Sequence, residues 1–193
     1  MLQMDIDIEL MLRTKSGDDG AFSELMRRHY KGVVNYIYRY TNLKENSEDL
    51  AQEVFLRIYR SRKQYRPEAK FSTWLYKIAT NVSLTHVKKK NVDLSLDAMN
   101  DEGGEIGDPE IDIADDLIYR KEIKDVIFLA MESLPEREKV AIMLCKYEGL
   151  SYEEAARVLE CTVGAVKSYV HRGRMKLIDK LKPYLPGGGE YGV

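Results

Sequence analysis

An all-α protein of two small helical domains joined by an acidic linker is the fold class that this 193-residue chain predicts. Apolar residues recur at helical spacing through every long segment, and no stretch alternates with the period of two that a half-buried strand requires. Residues 91–116 hold ten Asp/Glu and no Lys/Arg, with three glycines and one proline, the composition of a solvated connector and not of a packed unit. Ser151 and Glu154 form a Ser-x-x-Glu capping box ahead of the small apolar face Ala155, Ala156 and Leu159, a local signature of a helix start.

Residues 4–15 read as a short amphipathic helix ended by Ser16-Gly17. Asp18 then caps a long helix with Ala21, Phe22, Leu25, Met26, Tyr30, Val33, Val34, Ile37 and Tyr38 at spacings of three and four. After a turn over 41–46, Asn46 or Ser47 caps the helix SEDLAQEVFLRIYRSR, in which Leu50, Val54 and Ile58 face inward with Phe55 as a further candidate. Asp49, Gln52, Glu53, Leu56 and Arg57 fall on its other faces. Arg66-Pro67 breaks the pattern in the loop QYRPEAKF, because the residue before proline disfavours helical geometry. Ser72 caps a further helix, TWLYKIATNVSLTHVKKK, whose basic end Lys88–Lys90 closes a first domain over residues 1–90.

Beyond the linker, a helix from Leu117 to Met131 opens a second domain over residues 117–182, followed by a tail over 183–193. Pro135 opens EREKVAIMLCKYEG, and Gly149 ends it. The capping box starts a helix over Tyr152–Leu159, a corner follows at Glu160 and Cys161, and Thr162 caps a second helix. Its stripe Val163, Val166, Val170, Gly173, Leu177 and Leu181 is buried. The opposite face carries Lys167, Ser168, His171, Arg172, Arg174 and Lys176. Short polar donors come first and long cations later, as in a helix whose early turns meet base edges and whose later turns meet phosphates.

A net charge of −2 hides a basic-acidic-basic order: +6 over residues 1–90, −10 over 91–116 and +2 over 117–193. Residues 162–182 alone hold six Lys/Arg against Asp179, the footprint expected of a phosphate-binding helix. Cys145 and Cys161 form no Cys-x-x-Cys pair and are expected as buried reduced thiols, so neither metal nor cofactor is expected. The acids of the linker miss the EF-hand spacing. No apolar run of eighteen exists, and the N-terminus MLQMDIDIEL lacks a basic flank, so a cytoplasmic protein without membrane insertion is expected. Paired carboxylates in a cleft, a Ser/His/Asp constellation and a phosphate-cradling loop are all absent from the pattern, which argues against an enzyme.

Four blocks in order, DLAQEVFLRIYR (49–60), FSTWLYKIATN (71–81), SLPEREKVAIML (133–144) and LSYEEAARVLECTVGAVKSYVHRGRMKL (150–177), carry a resemblance to bacterial RNA polymerase sigma factors of the extracytoplasmic-function (ECF) class. The resemblance implies a sigma-2 domain, the acidic connector and a sigma-4 helix-turn-helix domain. It also implies that Asp49, Gln52, Glu53 and Phe55 dock on the clamp helices of the largest subunit of core RNA polymerase, with sigma-4 near the flap. Tyr65, Arg66, Lys70, Phe71, Lys77 and Asn81 are then candidates for the melted minus-10 strand of promoter DNA, with Asn81 offering both a donor and an acceptor to a base. Trp74 is read as core. Lys167, Ser168, His171 and Arg172 match the positions that approach minus-35 bases, with Arg174, Lys176 and Tyr152 suited to phosphates. An anti-sigma factor is a further implied partner.

The connector is long enough: 26 extended residues reach at most about 86–94 Å, against roughly 85 Å for twenty-five base pairs. Glu160 stands where the family usually has a corner glycine, Tyr169 where arginine is common, and Thr80 and His86 replace frequent Arg and Asp. Two other readings compete. One is a helix-turn-helix regulator that binds duplex operators without polymerase. The other is a helical nucleic-acid-processing enzyme holding a metal with Asp49, Glu53 and the acidic linker.

Overall fold

The computed structural model describes residues 5–97 and 125–184. The tail from residue 185 and most of the acidic connector therefore lie outside the described residues. So do residues 117–124 of the helix expected from Leu117. Every regular element described is helical.

In the first domain, α1 (Ile6–Lys15) is capped by Asp5, whose carboxylate accepts from the Asp7 amide, and α2 (Asp19–Thr41) is capped by Asp18, which accepts from the Ala21 amide. Asn42 ends α2 in the left-handed conformation, φ 55°, and the chain restarts at once as α3 (Lys44–Ser61). The cap expected at Asn46 or Ser47 is therefore displaced. Leu43 holds the N-cap position without a side-chain bond, and the Ser47 hydroxyl donates to the Leu43 carbonyl from inside the first turn. A short 3₁₀ turn, Arg62–Gln64, leads into the loop, and α4 spans Phe71–Asp97. Ser72 lies within α4 and not before it. The helix also runs seven residues into the segment assigned to the linker, because acidic residues alone supply no stop signal.

Leu25, Val33, Tyr36 and Ile37 of α2 meet Val54, Phe55 and Ile58 of α3 and Leu75 and Ala79 of α4 in one buried cluster. Thr80, one of the family departures, is part of it. Its hydroxyl donates to the Tyr76 carbonyl, so the bond of 2.7 Å to Tyr36 takes its proton from the Tyr36 phenol. A threonine here satisfies two buried polar groups, where an unmade bond would cost about 1–3 kcal/mol.

The second domain begins with a helix over residues 125–132, α5. Pro135 takes the N-cap position of α6 (Glu136–Ile142), which widens to π geometry over Met143–Tyr147 and stops at Gly149, φ 67°. Helix α7 (Tyr152–Leu159) opens on the complete capping box: Ser151 accepts from the Glu154 amide, and Glu154 accepts from the Ser151 amide. Glu160 then adopts left-handed backbone, φ 51° and ψ 50°, and Thr162 caps α8 (Val163–Leu181) by accepting from the Ala165 amide. The expected corner is present in both its caps and its length. Helix α8 crosses α6 at Gly173, where a Cβ would stand 2.6 Å from Cδ1 of Ile142. Cys145 and Cys161 are half-buried and free.

Candidate nucleic-acid interface

Three surfaces carry the residues singled out above. On α8, Lys167, Ser168, His171 and Arg174 are all exposed on one face, because Val166, Val170 and Gly173 turn the other face into the core. Arg172 and Lys176 diverge from that face. They straddle the buried carboxylate of Glu138 on α6, with Arg172 Nε at 3.0 Å and Lys176 Nζ at 2.9 Å. Burial works to raise the Glu138 pKa, but hydrogen bonds from Lys176 and Arg172 outweigh it and hold the carboxyl below its ordinary value. About half of the Arg172 side chain, 53%, stays exposed, so the guanidinium is anchored at one edge and open at the other. Its plane also lies over the Tyr169 ring at 5.3 Å, which gives the tyrosine found in place of arginine a packing role. Tyr152 is half-buried, with Lys167 Nζ 5.9 Å from its ring. Glu138 carries no local mark of this role in the sequence, since its partners are 34 and 38 residues away.

The second surface is the loop between α3 and α4. Tyr65 and Phe71 bracket it from within: both are buried, Tyr65 against Trp74 at 5.1 Å and Phe71 against His29 at 5.3 Å. Trp74 is half-buried in the same cluster, the role expected of it. Lys15 Nζ donates to the Tyr65 carbonyl at 2.8 Å and ties α1 to the loop. Burial pushes the Tyr65 phenol up to about 12, and its buried hydroxyl finds no hydrogen-bond partner among the described residues. These two rings thus anchor the loop while Arg66 and Lys70 point outward. Lys77 is half-buried nearly two turns further along α4, and Asn81 is exposed four residues beyond it. Lys70 and Lys77 already have partners from the second domain: Lys70 Nζ lies 3.1 Å from Glu154, and Lys77 Nζ lies 2.7 Å from Glu160.

The third surface is the outer face of α2 and α3. Phe22, Met26, Tyr30, Gln52, Phe55 and Leu56 line a shallow apolar groove there. Phe55 is its floor, buried and stacked on Tyr30 with ring centroids 6.0 Å apart, whereas Leu56 stands at the edge 49% exposed. Asp49 and Gln52 are exposed beside it, and Glu53 holds Arg57 at 2.7 Å. Leu56 was legible only as a residue off the buried stripe. The groove from α2 that makes it useful is a tertiary feature. Among the described residues no group of His, Cys, Asp or Glu is disposed to hold a metal, and no helix is long and apolar enough to cross a membrane.

Comparison with known proteins accords with this arrangement. Residues 25–92 match the family described as Sigma-70 region 2, and residues 124–177 match Sigma-70, region 4. The ECF RNA polymerase sigma-E factor of Escherichia coli (strain K12) is 33% identical over 184 residues, covering 93% of this chain and 96% of that protein. The factor of the same name from Haemophilus influenzae is 34% identical over 192 residues, covering 96% of this chain and 100% of its own. A solved structure of CnrH in complex with the cytosolic domain of CnrY has the same fold, with a TM-score of 0.70 at 23% identity over 93% of this chain and 99% of that one. With a region-2 helical domain, a region-4 helix-turn-helix domain and relatives matched along nearly their whole length, this chain belongs to the sigma-70 family in its ECF class, and is a transcription initiation factor and not an enzyme.

Proposed function

We propose that the protein docks on core RNA polymerase through the α2–α3 groove, reads a minus-35 element as duplex with α8, and captures the melted minus-10 strand with the α3–α4 loop and α4. The observation that carries this reading is the face of α8. Lys167, Ser168, His171 and Arg174 project together from a helix whose start, corner and packing are all held by specific contacts. A rigid helix that presents a lysine, a hydroxyl, an imidazole and a guanidinium along one face suits major-groove entry, where base contacts specify and phosphate contacts position. The loop surface suits a different ligand. Outward cations and the Asn81 amide, set on a backbone pinned by Tyr65 and Phe71, can hold a single strand and one exposed base edge.

The groove supports core docking by its chemistry. An apolar floor at Phe55, an apolar edge at Leu56 and a flank of Asp49, Gln52 and Glu53 fit the apolar stripe of a partner helix bordered by polar and basic residues. Polymerase supplies the catalysis. An anti-sigma factor that covers these faces is a further partner under this reading.

Run-off transcription with holoenzyme reconstituted from this chain and core polymerase, across fragmented genomic DNA, is the test. Discrete start sites sharing two spaced elements are expected. Footprints on duplex DNA without core, together with no binding to core, would instead make the protein an operator-binding regulator.

A further inference from the structure

Three polar contacts between the two domains fall on the surface just assigned to the minus-10 strand. Glu154, the reciprocal member of the α7 capping box, reaches Lys70 at 3.1 Å. Glu160, at the helix-turn-helix corner, reaches Lys77 at 2.7 Å. Between them in sequence, Arg157 Nη1 donates to the Glu68 carbonyl at 2.6 Å, so the stretch 154–160 meets both the loop and the first turns of α4. Deeper in the seam, the Tyr76 hydroxyl donates to Glu148, Arg39 Nη1 lies 3.3 Å from the same carboxylate, and Lys139 Nζ donates to the Tyr40 carbonyl at 2.8 Å.

From this we infer that the protein has a closed state in which the sigma-4 domain masks its own minus-10 reader, with the Glu154 and Glu160 carboxylates occupying the cations that a DNA backbone would otherwise use. The inference rests on the assignment of Lys70 and Lys77 to the single strand. A carboxylate and a phosphate oxygen make the same kind of charge-assisted bond to an ammonium group, so both ligands cannot satisfy one lysine fully at once. The Lys77–Glu160 pair is exposed on both sides and the Lys70–Glu154 pair on its lysine side, so each is individually weak and screened by salt, and closure is readily reversed.

Glu160 gives the device its particular form. It occupies left-handed backbone, which a glycine adopts without strain, and among the described residues its charged partner is Lys77 of the other domain. Within its own domain the glutamate supplies nothing that glycine would not, whereas across the seam it supplies a charge. The residue that departs from the family pattern is thus a contact that closes the chain.

Linkage makes the inference testable, because a ligand that competes with closure must open the chain, and a chain that opens more easily must bind that ligand more tightly. The full-length protein and its E154Q/E160G variant are compared in two measurements. One is the affinity for a fluorescent single-stranded DNA oligonucleotide at about 0.1 M salt, where screening extends over roughly 10 Å. The other is the radius of gyration by small-angle scattering with and without that oligonucleotide. The variant is expected to bind about threefold to tenfold more tightly, as the loss of two pairs whose lysines face water allows, and the wild-type chain is expected to expand on binding. Binding by both proteins with equal affinity and no expansion would overturn the closed state while leaving the minus-10 assignment intact. If K70A/K77A in the E154Q/E160G background bound no more weakly than that background itself, the minus-10 assignment of the lysines would fall, and the inference with it.

Discussion

Glu138→Gln isolates one buried carboxylate and the two cations that it orders. The Glu138 side chain is 6% exposed, while Arg172 and Lys176 are 53% and 45% exposed. Two hydrogen bonds between charged groups, at about 1.5–3 kcal/mol each, set the upper bound of the loss. The cations are half in water and recover hydration when released, which brings the expected cost down to about 1–3 kcal/mol of domain stability at pH 7. The pH dependence follows from the direction of the shift. Because the folded-state pKa lies below the ordinary 4.5, the contribution is present above that value and is lost as pH falls through the depressed one.

Urea unfolding of both proteins from pH 7 to pH 3 therefore shows a gap that closes below about pH 4.5. The same substitution frees Arg172 from its anchored edge and removes a negative charge beside the DNA face. Affinity for non-specific duplex rises, and discrimination for a minus-35 sequence falls. Equal stability of the two proteins across the pH range, or unchanged discrimination, would refute the positioning role given to Glu138.

Three further outcomes are expected. Gly173→Val forces a side chain into the α6–α8 contact, where a Cβ alone would sit 2.6 Å from Ile142 and 3.4 Å from Glu138, and costs about 1–3 kcal/mol in chemical denaturation. Glu148 has its pKa raised above 4.5, first by burial, so the stabilisation that its protonation gives the domain seam is complete below 4.5 and is lost as pH rises through the raised value. Scattering followed upward from pH 4.5 should show the wild-type chain becoming less compact, and Glu148→Gln should abolish the trend; Glu154 and Glu160, with lowered pKa values, titrate below 4.5. Leu56→Asp places a charge at the exposed edge of the α2–α3 groove and should weaken core binding at least tenfold, on the order of 1.4 kcal/mol or more, with the helical circular dichroism unchanged.

The helix-turn-helix was legible because its information is local. Ser151, Glu154 and Thr162 each bond within three residues of themselves, so four-residue patterns sufficed to define the ends of α7 and the start of α8. The start of α3 was not legible in that way. Asn46 and Ser47 are good capping residues, but the left-handed Asn42 had already turned the chain, and Ser47 spends its hydroxyl on the Leu43 carbonyl. Tyr65 and Phe71 illustrate a second limit. An aromatic ring beside a cation fits both a stacking platform and a core anchor, and it was Lys15 and His29, remote in sequence, that together with the nearby Trp74 made them anchors. The pairs Lys70–Glu154 and Lys77–Glu160 lie beyond pattern reading altogether, since each charge looks like part of a solvated face until the domains meet.

The claim that one chain reads two promoter elements at once is tested most directly by a double-mutant cycle between protein and promoter. Initiation is measured with holoenzymes carrying H171A, N81A or neither, on promoters with both elements intact, with the minus-35 element scrambled, or with the minus-10 element scrambled. The H171A defect is expected to vanish on the promoter without a minus-35 element and to persist on the other, and the N81A defect is expected to show the reverse. Equal defects on all three promoters would contradict the division of labour between α8 and α4.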